Sequence, residues 1–139
     1  MNSASDKLVR PGSTGGLRHV ALYCDRLEDS ERFYVELLGM TVEWRPDTDN
    51  VYLTSGNDNL ALHRKPEGYQ MSGDQRLDHI GFIIRDMDAV DVWHEFFVAN
   101  GVKIMAVPRT HRDGARSFYC HDPEGVTVQL IYHPPISSN

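Results

Sequence analysis

The chain contains one pattern twice, and that duplication constrains its fold more than any other feature. LRHVALYCDRLEDSERFYVELLGMTV, from Leu17, runs parallel to LDHIGFIIRDMDAVDVWHEFFVANGVKI, from Leu77. His19 matches His79 near the start of each copy. A turn with Asp25 or Asp86 follows, then a helix-like run ending in Gly39 or Gly101. Near the close of each copy NLALHR (Asn59–Arg64) matches VTVQLI (Val126–Ile131), which aligns His63 with Gln129. The separation between partners widens slowly along the chain, as small loop insertions in a duplicated unit would produce. Two copies of a unit this long predict two like modules rather than a solenoid.

Periodicity gives each copy its elements. In Leu17–Tyr23, Val20 and Leu22 share one face while His19, Ala21 and Tyr23 share the other. Leu77–Ile84 repeats the scheme, with Ile80, Phe82 and Ile84 set against His79, Gly81 and Ile83. Phe33, Tyr34, Leu37 and Leu38 fall at helical spacing, as do Val90, Trp93, Phe96 and Phe97. Gly39 and Gly101 suit the left-handed position after a helix end. Val51–Ser55, Leu60–Arg64, Lys103–Val107, Ser117–Cys120 and Val126–Tyr132 read as strands, separated by the turn-forming SGNDN and HDPEG. The expected class is α+β: two βαβββ modules, about residues 17–66 and 77–133, each with a helix over one sheet face. Residues 1–16 read as a disordered tail rich in Ser, Gly and Pro, and residues 134–139 as a C-terminal tail, because consecutive prolines end a strand.

Composition narrows the function classes. The chain of 139 residues carries a net charge of −6, against the basic stripes that nucleic-acid binding wants. No apolar run reaches the roughly 20 residues of a membrane span. Cys24 and Cys120 form no CxxC and suggest no disulfide framework, and the first residues lack an apolar signal core. The expected compartment is the reducing cytoplasm.

The chemistry is expected on the sheet face the helices leave open. If the strongly apolar positions face the helices, His19, His63, His79 and Gln129 all fall on the other side, flanked by the small Ala21, Ala61, Gly81 and Thr127. Three imidazoles and an amide oxygen can coordinate a divalent cation. A lone strand histidine is more often a packed or surface residue; four polar groups at matched positions strengthen the metal reading. His94 is expected on a solvated helix face, and His121 beside the DPEG turn. The loop PRTHRDGAR places Arg109, Arg112 and Arg116 together on an otherwise acidic protein, a candidate lid over an anionic substrate or simply a solvated loop.

These residues resemble the vicinal oxygen chelate superfamily, which includes glyoxalase I, bleomycin-resistance proteins, fosfomycin-resistance enzymes and extradiol dioxygenases. The resemblance rests on LRHVALYCDRLEDSERFYVELLGM, LDHIGFIIRDMD and FYCHDPEGVTVQLIY and covers about residues 17–132. It implies paired βαβββ modules whose mixed sheets curve into a cleft. It implies a divalent metal (Fe, Zn, Ni or Mn) at positions matching His19, His63, His79 and Gln129, and a homodimer in which each cleft draws on both chains. Ser117 and Tyr119 match positions that contact substrate in the fosfomycin-resistance enzymes; Tyr119 and Gln129 are the candidate catalytic groups. Two departures stand out: Gln129 where metal-binding members usually have Glu, and His63 where glyoxalase-like members have Glu. The implied activity is that of a metal-dependent enzyme, of dioxygenase, lyase or isomerase type, on a small oxygenated and anionic compound. The alternative is a metal-free protein that sequesters a drug or metabolite.

Overall fold

The computed structural model describes residues 9–11, 15–71, 73, 75 and 77–137. Most of the expected N-terminal tail, and the last two residues, lie outside the described residues. Two four-stranded mixed sheets carry the fold, one from each copy. In the first, β1 (His19–Cys24), β4 (Asn59–Arg64), β3 (Asn50–Thr54) and β2 (Thr41–Asp47) lie side by side in that order. In the second the order is β5 (Ile80–Ile83), β8 (Thr127–Tyr132), β7 (Arg116–His121) and β6 (Lys103–Thr110). Each opening strand pairs parallel with the closing strand of its own module, and the remaining pairs are antiparallel.

The helices are α1 (Leu27–Arg32), which widens into a π turn over Phe33–Leu37, and α2 (Ala89–Ala99). The widening is visible in the Leu38 N–H, which reaches back five residues to the Phe33 carbonyl at 3.2 Å. It lets the consecutive Phe33 and Tyr34 both enter the core. Gly39 and Gly101 take positive φ just past the two helices, as expected of glycine there.

One core serves both modules. Leu22, Leu60 and Leu62 from the first sheet share it with Val128 and Leu130 from the second. Phe33 meets Phe97 edge to face at 5.8 Å, so aromatic rings from both helices close the junction. Side chains of two acidic residues, Asp122 and Glu124, join the modules as well. The Tyr34 hydroxyl donates to Asp122 at 2.7 Å inside the core. Glu124 accepts from the Asp25 and Arg26 backbone N–H groups, just ahead of α1, which opens with no side-chain cap of its own.

The expected loop 108–116 is shorter than read, because Pro108–Thr110 continue β6 and Arg116 opens β7, with Arg109 paired to Ser117 and Thr110 to Arg116. The structure departs from the sequence reading at three further elements. Thr41–Asp47 is a full strand, although all its residues are exposed and two register shifts interrupt its pairing. Pro134–Ser137 forms a short helical turn, where a tail was expected; prolines fit the first turn of a helix, and the Ser137 hydroxyl accepts from the His133 N–H at 2.7 Å. His94 is half-buried against the Phe118 ring at 5.3 Å, because α2 lies close over β7.

Candidate functional site

The face opposite the helices carries the polar groups, and register fixes which of them are equivalent. His19 pairs with Asn59 across β1 and β4, and Gly81 pairs with Gln129 across β5 and β8. Matching His19 to His79 therefore matches Gln129 to Ala61, and His63 to Ile131. The expected equivalence of His63 and Gln129 is corrected by two residues. A shift of two preserves the face, which is why alternation alone did not detect it. His63 also stands four residues beyond the strand partner of His19, about 13 Å along the sheet. The two imidazoles of the first sheet consequently do not share one ion. Among the described residues of one chain, no three His, Cys, Asp or Glu side chains come together as a metal site.

The three histidines nevertheless share one hydrogen-bonding arrangement. His19 Nδ1 lies 2.7 Å from Asn59 Oδ1, and the amide nitrogen of Asn59 is spent on Glu43 at 3.0 Å. His63 Nδ1 lies 2.6 Å from Asn50 Oδ1, and the Asn50 amide nitrogen is spent on Asp47 at 2.9 Å. His79 Nδ1 lies 2.6 Å from the Asp78 carboxylate. Each partner atom is an oxygen without a proton, so each imidazole donates from Nδ1. In the neutral ring the lone pair then sits on Nε2, the disposition found where outer groups orient a metal-binding or proton-accepting imidazole.

On the second sheet an open hollow of about 780 Å³ is lined by His79, Arg109, His111, Arg112, Tyr119 and Gln129, with no lining residue from the first sheet. The Gln129 amide nitrogen donates to Ser117 Oγ and to the Tyr119 hydroxyl, both at 3.0 Å. The Tyr119 ring stands edge to face on His79 at 5.4 Å. Ser117 itself is buried and meets His111 Nε2 at 2.9 Å. Arg116 is placed elsewhere: its guanidinium holds the Asp91 carboxylate through two bonds of 2.8 and 2.9 Å, which keeps that carboxyl below its usual range. Sequence reasoning passed over His111, and it passed over Asn50 and Asn59. The offset between paired strands is what places an Asn beside each first-sheet histidine, and it is not written in either strand alone.

The first sheet's face is aromatic instead. Trp44, 58% exposed, stacks on Tyr52 at 5.1 Å, and Tyr52 stands edge-on to His63 at 5.7 Å. A smaller cavity of about 130 Å³, where β1 passes β5, is lined by His19 and Asn59 on one side and by Gly81 and Phe82 on the other.

The duplicated strand–helix–sheet units define a paired βαβββ protein with a polar open face. The sequence pattern of the Glyoxalase/Bleomycin resistance protein/Dioxygenase superfamily matches residues 16–130, and the chain belongs to that superfamily. Its fold is similar to that of a glyoxalase/dioxygenase from Nostoc punctiforme (TM-score 0.74, 23% identity, covering 96% of this chain and 99% of that one). It is also similar to lactoylglutathione lyase from Agrobacterium tumefaciens (TM-score 0.71, 23% identity, 88% and 96%). TioX from Micromonospora sp. ML1 shares the fold as well (TM-score 0.68, 18% identity, 86% and 99%). No curated protein matched the sequence. Among the described residues, no helix is long and apolar enough to cross a membrane.

Proposed function

We propose that this protein binds a small, anionic, oxygenated compound through a divalent metal held by His19 and His79, with the Gln129 carbonyl as the third ligand. The observation that carries this reading is the shared state of the two matched imidazoles, each fixed at Nδ1 and free at Nε2. Two imidazole nitrogens and an amide oxygen suit Mn, Fe, Ni or Zn. The set is neutral, so a bound ion keeps its full charge and would polarise neighbouring oxygens of an anionic ligand. Arg109 and Arg112, on the rim of the His79 hollow, supply the cationic side chains such a ligand needs. Because that hollow has no first-sheet lining, the missing side of the cleft comes from a second copy of the chain, as the family resemblance implies.

His63 is assigned a different task from the one its sequence position suggested. Register carries it past the ligand position, which Ala61 occupies. An imidazole held by Asn50, with its lone pair on the open face, can accept a proton where the usual carboxylate is missing. Proton transfer beside a metal-polarised oxygen, as in isomerase or lyase chemistry, is the reaction class this favours. In the cytoplasm, the cysteines Cys24 and Cys120 would stay reduced; both are buried thiols pushed up to about 12 by burial.

Metal analysis of protein purified without chelator tests the assignment. The expected result is bound metal that is lost in His79→Ala and retained in His63→Ala. A second reading, metal-free sequestration of a ligand, is favoured by Ala61, which leaves the fourth matched position without a donor. Metal-free protein whose melting temperature ignores added Mn²⁺, Ni²⁺ and Zn²⁺ would establish it and overturn the first.

A further inference from the structure

We propose that His111 is a positioning residue that decides which end of the Gln129 amide faces the open hollow, acting through Ser117. Gln129 is 8% exposed, and both its amide protons are engaged, one by Ser117 and one by Tyr119. Its carbonyl Oε1 therefore points the other way, beside Gly81. A Cβ at Gly81 would stand 3.8 Å from that oxygen, in ordinary van der Waals contact, so the glycine leaves the space beside it unfilled by a side chain.

The orientation depends on where Ser117 sends its own proton. Ser117 is 2% exposed, and a buried hydroxyl proton without an acceptor is costly. Having received a proton from Gln129, Ser117 must donate, and His111 Nε2 lies 2.9 Å away. The relay then runs in one direction, from Gln129 to Ser117 to His111, with the imidazole proton on Nδ1. Were the proton on Nε2 instead, His111 would donate to Ser117. Ser117 would in turn donate to Gln129, which would need its oxygen there, and the amide would be turned over. Arg109 competes for the ring, with Nη2 3.3 Å from Nδ1, at the loose end of hydrogen-bond distances. A guanidinium can only donate, so its hold on Nδ1 favours the reversed relay. An anionic ligand that draws Arg109 away therefore favours the carbonyl-outward state, and anion binding and cation binding reinforce each other.

The importance of that carbonyl rests on the metal reading above, but the test is made without metal, so the two can fail separately. In ¹⁵N-labelled, metal-free protein, the side-chain amide protons of Gln129 are followed by NMR. The wild-type protein is expected to show two shifted, slowly exchanging protons. His111→Ala should bring exchange about tenfold faster, the loss expected when one hydrogen bond of a relay is removed. His111→Gln, which offers an acceptor oxygen, should restore protection. His111→Lys, which can only donate, should expose the amide protons most. Arg109→Ala should leave protection in place. Wild-type shifts and exchange in His111→Lys, or in a folded His111→Ala, would overturn the proposal.

Discussion

At matched positions of the two open faces, Tyr52 answers Tyr119, Ala61 answers Gln129, and Asp47 answers Arg109. The backbone pattern has been kept while the chemistry has diverged. The first face uses carboxylates to hold amides, which hold imidazoles, beside an aromatic stack. The second puts a hydroxyl-bound amide among arginines. The turns ahead of the two closing strands diverge in the same way. Among the described residues, Asp58 in the first bonds only to its neighbours, accepting from the Ser55 N–H at 2.6 Å and from the Thr54 hydroxyl. In the second, Asp122 and Glu124 reach across to Tyr34 and to the start of α1. A duplicated fold can thus gather its charged hollow and its module-joining turn into one half without changing its topology.

The largest expected break in this comparison is Asp122→Ala. It orphans the buried Tyr34 hydroxyl and the Glu124 and Val126 N–H groups, each 2.8 Å from Asp122 Oδ1. The expected loss is about 2–3 kcal/mol in a denaturant melt; a loss no greater than that of Asp58→Ala would mean the turns do equal work. Asp122→Asn sharpens the point through pH. Burial, the largest cause, raises the Asp122 carboxyl above its usual 3.8, against the opposing bonds from Tyr34 and the two amides. A raised folded value means the native state binds the proton more tightly. That contribution to stability is full below pH 3.8 and is lost as pH rises through the folded value. The melting temperature of the wild-type protein relative to Asp122→Asn should therefore fall across that window; a constant difference would refute the assignment. Smaller again, Glu124→Ala should cost about 1 kcal/mol by uncapping α1. Least of all, Asp58→Ala should cost about 0.5 kcal/mol, since its turn is local and wet.

Much of this was legible in the sequence. The matched copies gave two βαβββ units, and alternation put His19, His63, His79 and Gln129 on one face, because side-chain direction follows parity. Register did not follow from parity, since Ala61 and His63 share a face and only interstrand pairing shows which answers Gln129. β2 was missed because TVEWRPD, with three charges and a proline, lacks the half-buried alternation by which strands are recognised. Its two register shifts and full exposure are features of a protected sheet edge. The His111–Ser117–Gln129 relay crosses a loop and two strands, so no local pattern announced it.

The outermost strand of the first sheet has a reach that its wet, irregular sequence conceals. Glu43 and Asp47 lie on the rim, yet each grips an asparagine that in turn grips an imidazole. Neutralising either rim carboxylate would let its asparagine swivel and its ring choose the other tautomer. Drift at the margin of the molecule would then be felt at the two histidines as a change of hydrogen-bonding polarity, without any alteration to the rings themselves.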